Sequence, residues 1–164
     1  MEHWIHRESS PISIPSEIYS SSPEETFALG ECFAAFLDKG SVAALEGALG
    51  AGKTYFVKGI ARGLRVEEEI TSPSYTVISE YRGILPQKTN ETVPVYHIDA
   101  YRLGGDDDFS AIGGEEIVFG EGISIIEWCN HIPGFILPSA YKINFEIIDG
   151  DKRAIRFYGG RSGT

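Results

Sequence analysis

Basic residues are in short supply in this chain: 14 Lys and Arg stand against 24 Asp and Glu, for a formal net charge of −10 at pH 7. A protein that grips a phosphate backbone unaided carries a basic face, because its affinity comes from neutralising phosphates. Direct RNA or DNA binding is therefore not expected. Cysteine is nearly absent, with only Cys32 and Cys129, far apart and in no metal-ligand spacing. Two free thiols in a reducing cytosol is the simplest account. No apolar run approaches the roughly 20 residues that a membrane helix needs. The opening MEHWIHRESS is too polar and too mixed in charge to read as a secretory signal. These absences point to a cytoplasmic protein that makes no use of a membrane.

What is present is an ordinary globular composition, 42% hydrophobic and 23% charged over 164 residues. That length supports one sizeable core but not two. Residues 1–15 carry Ser and Pro without a clear period and read as a poorly ordered extension, leaving 16–164 as a single domain. Ser22-Pro23-Glu24-Glu25 opens a helix, with a hydroxyl N-cap, proline at the first position and glutamate at the third. Leu29, Phe33, Phe36 and Leu37 continue it at helical spacing, with Cys32 inside as a packing thiol, and Lys39-Gly40 supplies a stop. Val42 to Glu46 fits a buried strand, and Thr54 to Leu64 a helix. Three further strands are expected at Tyr75 to Tyr81, Val93 to Asp99 and Ile123 to Trp128. A terminal antiparallel hairpin runs from Tyr141 through a turn at Asp149-Gly150-Asp151 to Tyr158. The sum is an α/β fold of the P-loop NTPase kind, a three-layer sandwich whose central sheet is mostly parallel with antiparallel edges.

Between the first buried strand and its helix lies GALGAGKT, which satisfies G-x-x-x-x-G-K-[ST] at Gly47, Gly52, Lys53 and Thr54. The glycines let backbone N–H groups curl around a phosphate with no Cβ in the way. The helix that follows turns the positive end of its dipole toward the anion. Lys53 adds a point charge over the terminal phosphates, and the Thr54 hydroxyl can ligate magnesium. Leu49, Gly50 and Ala51 complete the loop around the nucleotide.

A phosphate loop alone hydrolyses nothing; the metal and the attacking water need carboxylates at strand ends. Two stand in that position, Asp99 after Val95-Tyr96-His97-Ile98 and Glu127 after Ile123-Ser124-Ile125-Ile126. One could anchor the metal while the other orients or deprotonates the water. His97 shares the alternation of Asp99 and reads as a packed or hydrogen-bonded histidine. Ser72-Pro73-Ser74-Tyr75-Thr76 is either a switch that senses the γ-phosphate or a plain turn into a strand. The Asn-Lys-x-Asp stretch with which small GTPases read guanine is absent, which favours ATP by elimination.

Taken together, GALGAGKT, ITSPSYTVISEY, VYHIDAYRL and IIEW closely resemble the bacterial TsaE family across about residues 18 to 158. That family is the small P-loop ATPase of tRNA threonylcarbamoyladenosine synthesis. The resemblance implies ATP and Mg2+ as cofactors, with Thr54 and Glu127 as metal ligands, Asp99 needed for hydrolysis, and Trp128 linked to activity. It implies that Ser72 through Tyr75 match the family's S-P-T-[FY] segment, and it points to Thr26 and Arg153 for adenine. It also implies partner proteins, TsaD and TsaB, with tRNA reached only through their complex. Three departures stand out. Ser74 replaces the usual threonine, Cys129 replaces a common proline, and two glycine pairs interrupt the acidic stretch from Gly104 to Gly122, putting a helix there in doubt. The competing readings are a small-molecule kinase and a nucleotide-gated binding module with little turnover; the first lacks an arginine-bearing lid in the 104–122 segment.

Overall fold

The computed structural model describes residues 14–73, 75–88 and 90–160. Up to residue 13, the expected N-terminal extension lies outside the described residues. Seven strands form one sheet: β1 (Glu17–Ser20), β2 (Val42–Gly47), β3 (Ile78–Ile84), β4 (Thr92–Asp99), β5 (Ile123–Glu127), β6 (Tyr141–Asp149) and β7 (Lys152–Gly159). Their order is β1-β7-β6-β2-β5-β4-β3. The inner strands β6, β2, β5 and β4 run parallel, while β3, β7 and β1 pair antiparallel at the two edges. The expected hairpin is β6–β7, and the mostly parallel centre with antiparallel edges is as the sequence suggests.

Two helices, α1 (Pro23–Phe33) and α2 (Lys53–Gly63), lie together on one face. Ser22 caps α1 by accepting a hydrogen bond from the Glu25 N–H at 3.1 Å, and the Glu25 carboxylate accepts from the Ser21 N–H. Their approach is close because Gly59 faces the α1 backbone: a Cβ there would collide with the carbonyl of Phe27. Phe33 and Phe56 meet at 5.6 Å between ring centroids, and Phe145, Tyr141 and Phe157 of the hairpin close around them. Burying such rings contributes most of a core's stability, at about 25 cal/mol per Å² of apolar surface. On the other face a smaller core gathers Ile98, Phe109, Val118, Ile126, Ile132 and Phe135.

Several expected boundaries move. A helix running on to Lys39-Gly40 is not seen; α1 ends at Phe33 and a 3₁₀ turn, Ala34–Phe36, follows. The strand expected from Tyr75 begins at Ile78 and continues to Ile84. Its partner β4 ends at Asp99, whose N–H donates to the Val77 carbonyl at 2.8 Å, so 75–76 lie beyond the end of β4. The Gly104 to Gly122 stretch does form helix, in two short pieces, α3 (Asp106–Ala111) and α4 (Gly114–Val118), broken where Gly113 takes φ 89. Strand β1 was not expected at all; four residues flanked by serines give no usable alternation.

Candidate functional site

The glycine loop joins the C-terminal end of β2 to the first turn of α2. Gly52 occupies the N-cap at φ 99, in the left-handed region that costs an L residue of order 1–2 kcal/mol. No side chain caps the opening N–H groups of α2, and no acidic residue occupies its first turn. Those donors and the dipole behind them are thus left to face the loop, an arrangement suited to an anion. Lys53 is buried to 6% exposure and its Nζ donates to the carbonyls of Gly47 and Ala48, the latter at 3.1 Å. The same ammonium lies 4.5 Å from the centroid of the Trp128 ring, a cation–π contact. Burial pushes the Lys53 ammonium below the ordinary lysine range, while the charges of Glu127 and Asp99 pull it back up.

Opposite the loop, parallel pairing sets Asp99 of β4 beside Glu127 of β5, and Glu127 beside Leu45 of β2. By strand alternation, Val93, Val95, His97 and Asp99 share a face of β4, and Ile123, Ile125 and Glu127 share the matching face of β5. Both carboxylates therefore arrive at the C-terminal ends of parallel strands on the α2 side, where open α/β sheets bind ligands. Asp99 is half-buried, its Oδ1 accepting from the Tyr101 N–H at 3.0 Å. Glu127 is 5% exposed, and its Oε2 lies 2.7 Å from Nε2 of His97, which is 1% exposed. Trp128 takes φ 57, a left-handed turn that ends β5 and swings the indole over Lys53. Tyr101 packs on Trp128 at 5.0 Å and on His131 at 6.0 Å.

Residues 49–55, Ser72, Asp99, Glu127 and Trp128 line one cleft. The structure thus gathers Leu49, Gly50, Ala51, Gly52, Lys53, Thr54, both carboxylates and the tryptophan. Gly47 sits behind them at the end of β2. Thr26 is buried, its hydroxyl 2.7 Å from that of Ser20 and its γ-methyl under Gly52. Arg153 reaches from the hairpin to the carbonyl of Gly50, at 3.1 Å. Ser72 borders the cleft, whereas Pro73 and Tyr75 line an adjoining one with Asp99, Tyr101 and Arg102. Thr76 is exposed, and Ser74 lies outside the described residues. Val77, the hinge from this segment into β3, holds a β-branched side chain at φ 59, a conformation worth about 1–3 kcal/mol of strain. A roomier hollow on the opposite face, with Cys129, Lys142 and Tyr158 in its lining, has no such convergence of loop and carboxylates.

His97 is the hydrogen-bonded histidine that the sequence allowed, but its partner, Glu127, was not foreseen. Sequence reasoning also passed over Tyr101 and Arg102, the latter 5.6 Å from the Tyr75 ring. The alternation shared by His97 and Asp99 was the available signal.

A Thr hydroxyl and two carboxylates are hard oxygen donors, the kind magnesium takes. Among the described residues no group of three or more His, Cys, Asp or Glu could hold a metal by itself. Nucleotide oxygens would have to complete the shell, as magnesium sites on phosphates do.

Strand, phosphate loop, helix and a neighbouring carboxylate pair on a mostly parallel sheet define a protein of the P-loop NTPase fold. The profile of the family described as threonylcarbamoyl adenosine biosynthesis protein TsaE matches residues 20–155. A tRNA threonylcarbamoyladenosine biosynthesis protein TsaE of Treponema pallidum is 39% identical over 83% of this chain and 95% of its own length. Its counterpart from Bacillus subtilis is 38% identical over 83% of this chain and 80% of its own. The crystal structure of Bacillus subtilis YdiB superposes with a TM-score of 0.67 at 34% identity, covering 87% of this chain and 84% of that one. The chain belongs to the TsaE family.

Proposed function

We propose that this chain binds Mg-ATP in the loop at residues 47–54 and hydrolyses it to drive or reset the TsaD–TsaB complex of tRNA threonylcarbamoyladenosine synthesis. The observation that carries the reading is the register that sets Asp99 and Glu127 side by side across the cleft from Lys53 and Thr54. The N–H groups of the loop and of the first turn of α2 cradle the β- and γ-phosphates. Lys53 leaves the Gly47 and Ala48 carbonyls for the phosphates and thereby gains a counter-charge for its buried ammonium. The Thr54 hydroxyl and the Glu127 carboxylate hold magnesium, which when bound neutralises charge on the phosphates. Asp99 orients the attacking water and accepts its proton. The Ser72–Thr76 segment, beside Asp99, senses the γ-phosphate and relays its loss to the partner. Arg153 and the start of α1 at Thr26 mark the side on which adenine rests. With a net charge of −10, the chain meets tRNA only through its partners.

The test is phosphate release from ATP by the purified chain, with and without magnesium and with and without TsaD and TsaB. Slow magnesium-dependent release that changes on adding the partners is expected. A phosphorylated small acceptor in place of free phosphate would make the chain a kinase. ATP binding with no release under any condition would make it a nucleotide-gated binding module.

A further inference from the structure

The wall between β4 and β5 is apolar on the α2 side until it reaches His97 and Glu127. Burying that pair is expensive: two polar groups leave water, and well-packed apolar residues at such positions are often neutral or stabilising. A second cost adds to the first. His97 Nδ1 is buried and has no hydrogen-bond partner among the described residues, a loss of about 1–3 kcal/mol for a buried polar group. Stability alone therefore gives no reason for a histidine here, and the position asks for a functional one.

The geometry points to His97 as the positioning residue that aims the Glu127 carboxylate. A carboxylate only accepts, so the 2.7 Å contact has Nε2–H donating to Oε2. Pairing with Ser79 of β3 and Ile125 of β5 fixes the backbone of His97, and burial to 1% exposure restricts the ring. Glu127 has three rotatable side-chain bonds, and the donor on Oε2 removes most of that freedom. Its other oxygen is left for the cleft that Glu127 lines with Thr54 and Lys53. Histidines and carboxylates that bind metal are commonly held in this way by a hydrogen-bonded neighbour, and loss of the neighbour costs about 10–100-fold in metal affinity or activity. Here the roles are exchanged: the histidine is the neighbour and the carboxylate the ligand.

This inference rests on Glu127 being the metal ligand, and the test separates the two. Mn2+, read by its EPR signal, is titrated into the full chain saturated with a non-hydrolysable ATP analogue, for the parent, His97→Leu, His97→Gln and Glu127→Gln. Analogue affinity without metal and thermal melting are measured alongside. His97→Leu is expected to melt cooperatively and to bind the metal-free analogue as the parent does, while losing about 10–100-fold in Mn2+ affinity. His97→Gln, whose amide nitrogen reaches where Nε2 stood, recovers most of that loss. Should the leucine variant fail to melt cooperatively, His97→Asn takes its place, being polar but too short to reach Glu127. Parental Mn2+ affinity in the leucine or asparagine variant, or no recovery by glutamine, would overturn the role of His97. Parental Mn2+ affinity in Glu127→Gln would instead overturn the metal assignment beneath it.

Discussion

Residues 47–54 make one side of the cleft from a single continuous stretch, in which chain order is itself the geometry. The other side is made from the ends of two strands, with Asp99 and Glu127 brought together only by the parallel register of β4 and β5. The loop side relies on backbone: N–H groups, a helix end and a glycine in the left-handed region, with Lys53 as the one cation within the stretch 47–54. The wall relies on side chains that a sheet interior would rather exclude, a buried glutamate among them. The difference separates two tasks. Holding an anion can be done by main chain, whereas placing a metal and a water requires carboxylates fixed by their surroundings.

That comparison can be broken most sharply at its two charged ends. Lys53→Ala is expected to cost roughly 2–5 kcal/mol of nucleotide binding, as loss of one member of a buried charge pair does. Thermal stability of the ligand-free chain should change little or rise, since the lysine ammonium is desolvated there. Calorimetric titration with ATP and a melting curve check both halves. A Lys53→Ala chain that binds ATP as the parent does would remove the loop from its role.

A smaller effect is expected where the loop's helix is seated. Gly59→Ala sets a methyl group against the Phe27 carbonyl and should cost about 1–3 kcal/mol of folding stability by overpacking. Metal-free nucleotide affinity of the folded fraction should survive, because no cleft residue is touched. Urea denaturation and ATP titration distinguish the two.

The smallest effect is expected at the edge of the sheet farthest from the wall. Arg156 bridges Glu17 of β1 and Glu146 of β6 at 2.6 and 2.5 Å on a partly exposed surface. Arg156→Ala should lower the melting temperature only slightly, and less in high salt, because such pairs are screened by solvent. Thiol labelling adds a check on the opposite face. Burial pushes the Cys129 thiol up to about 11, so its alkylation should stay slow at neutral pH and rise as the pH climbs toward that value. Half-buried Cys32 should react first.

The two sides also differ in how far they could be read from the sequence. The loop and its flanking elements are local, so Gly47, Gly52, Lys53 and Thr54 carried their own geometry, and the Ser22 cap and the β6–β7 hairpin were legible for the same reason. The carboxylates could be named as candidates from their place after apolar runs. Their adjacency could not, because it depends on β5 lying between β2 and β4. The His97–Glu127 contact depends on the same strand order and was invisible for that reason. Local propensity also misled: Tyr75, Thr76 and Val77 favour a strand by type, yet β4 ends at Asp99, opposite Val77, and Val77 turns into the left-handed region.

The division of labour between loop and wall is tested most directly by titrating ATP into the parent and Glu127→Gln chains, each with excess chelator and then with magnesium. Equal affinity in chelator is predicted, with the gain in affinity on adding magnesium present in the parent and lost in Glu127→Gln. An undiminished magnesium gain in Glu127→Gln would contradict the account.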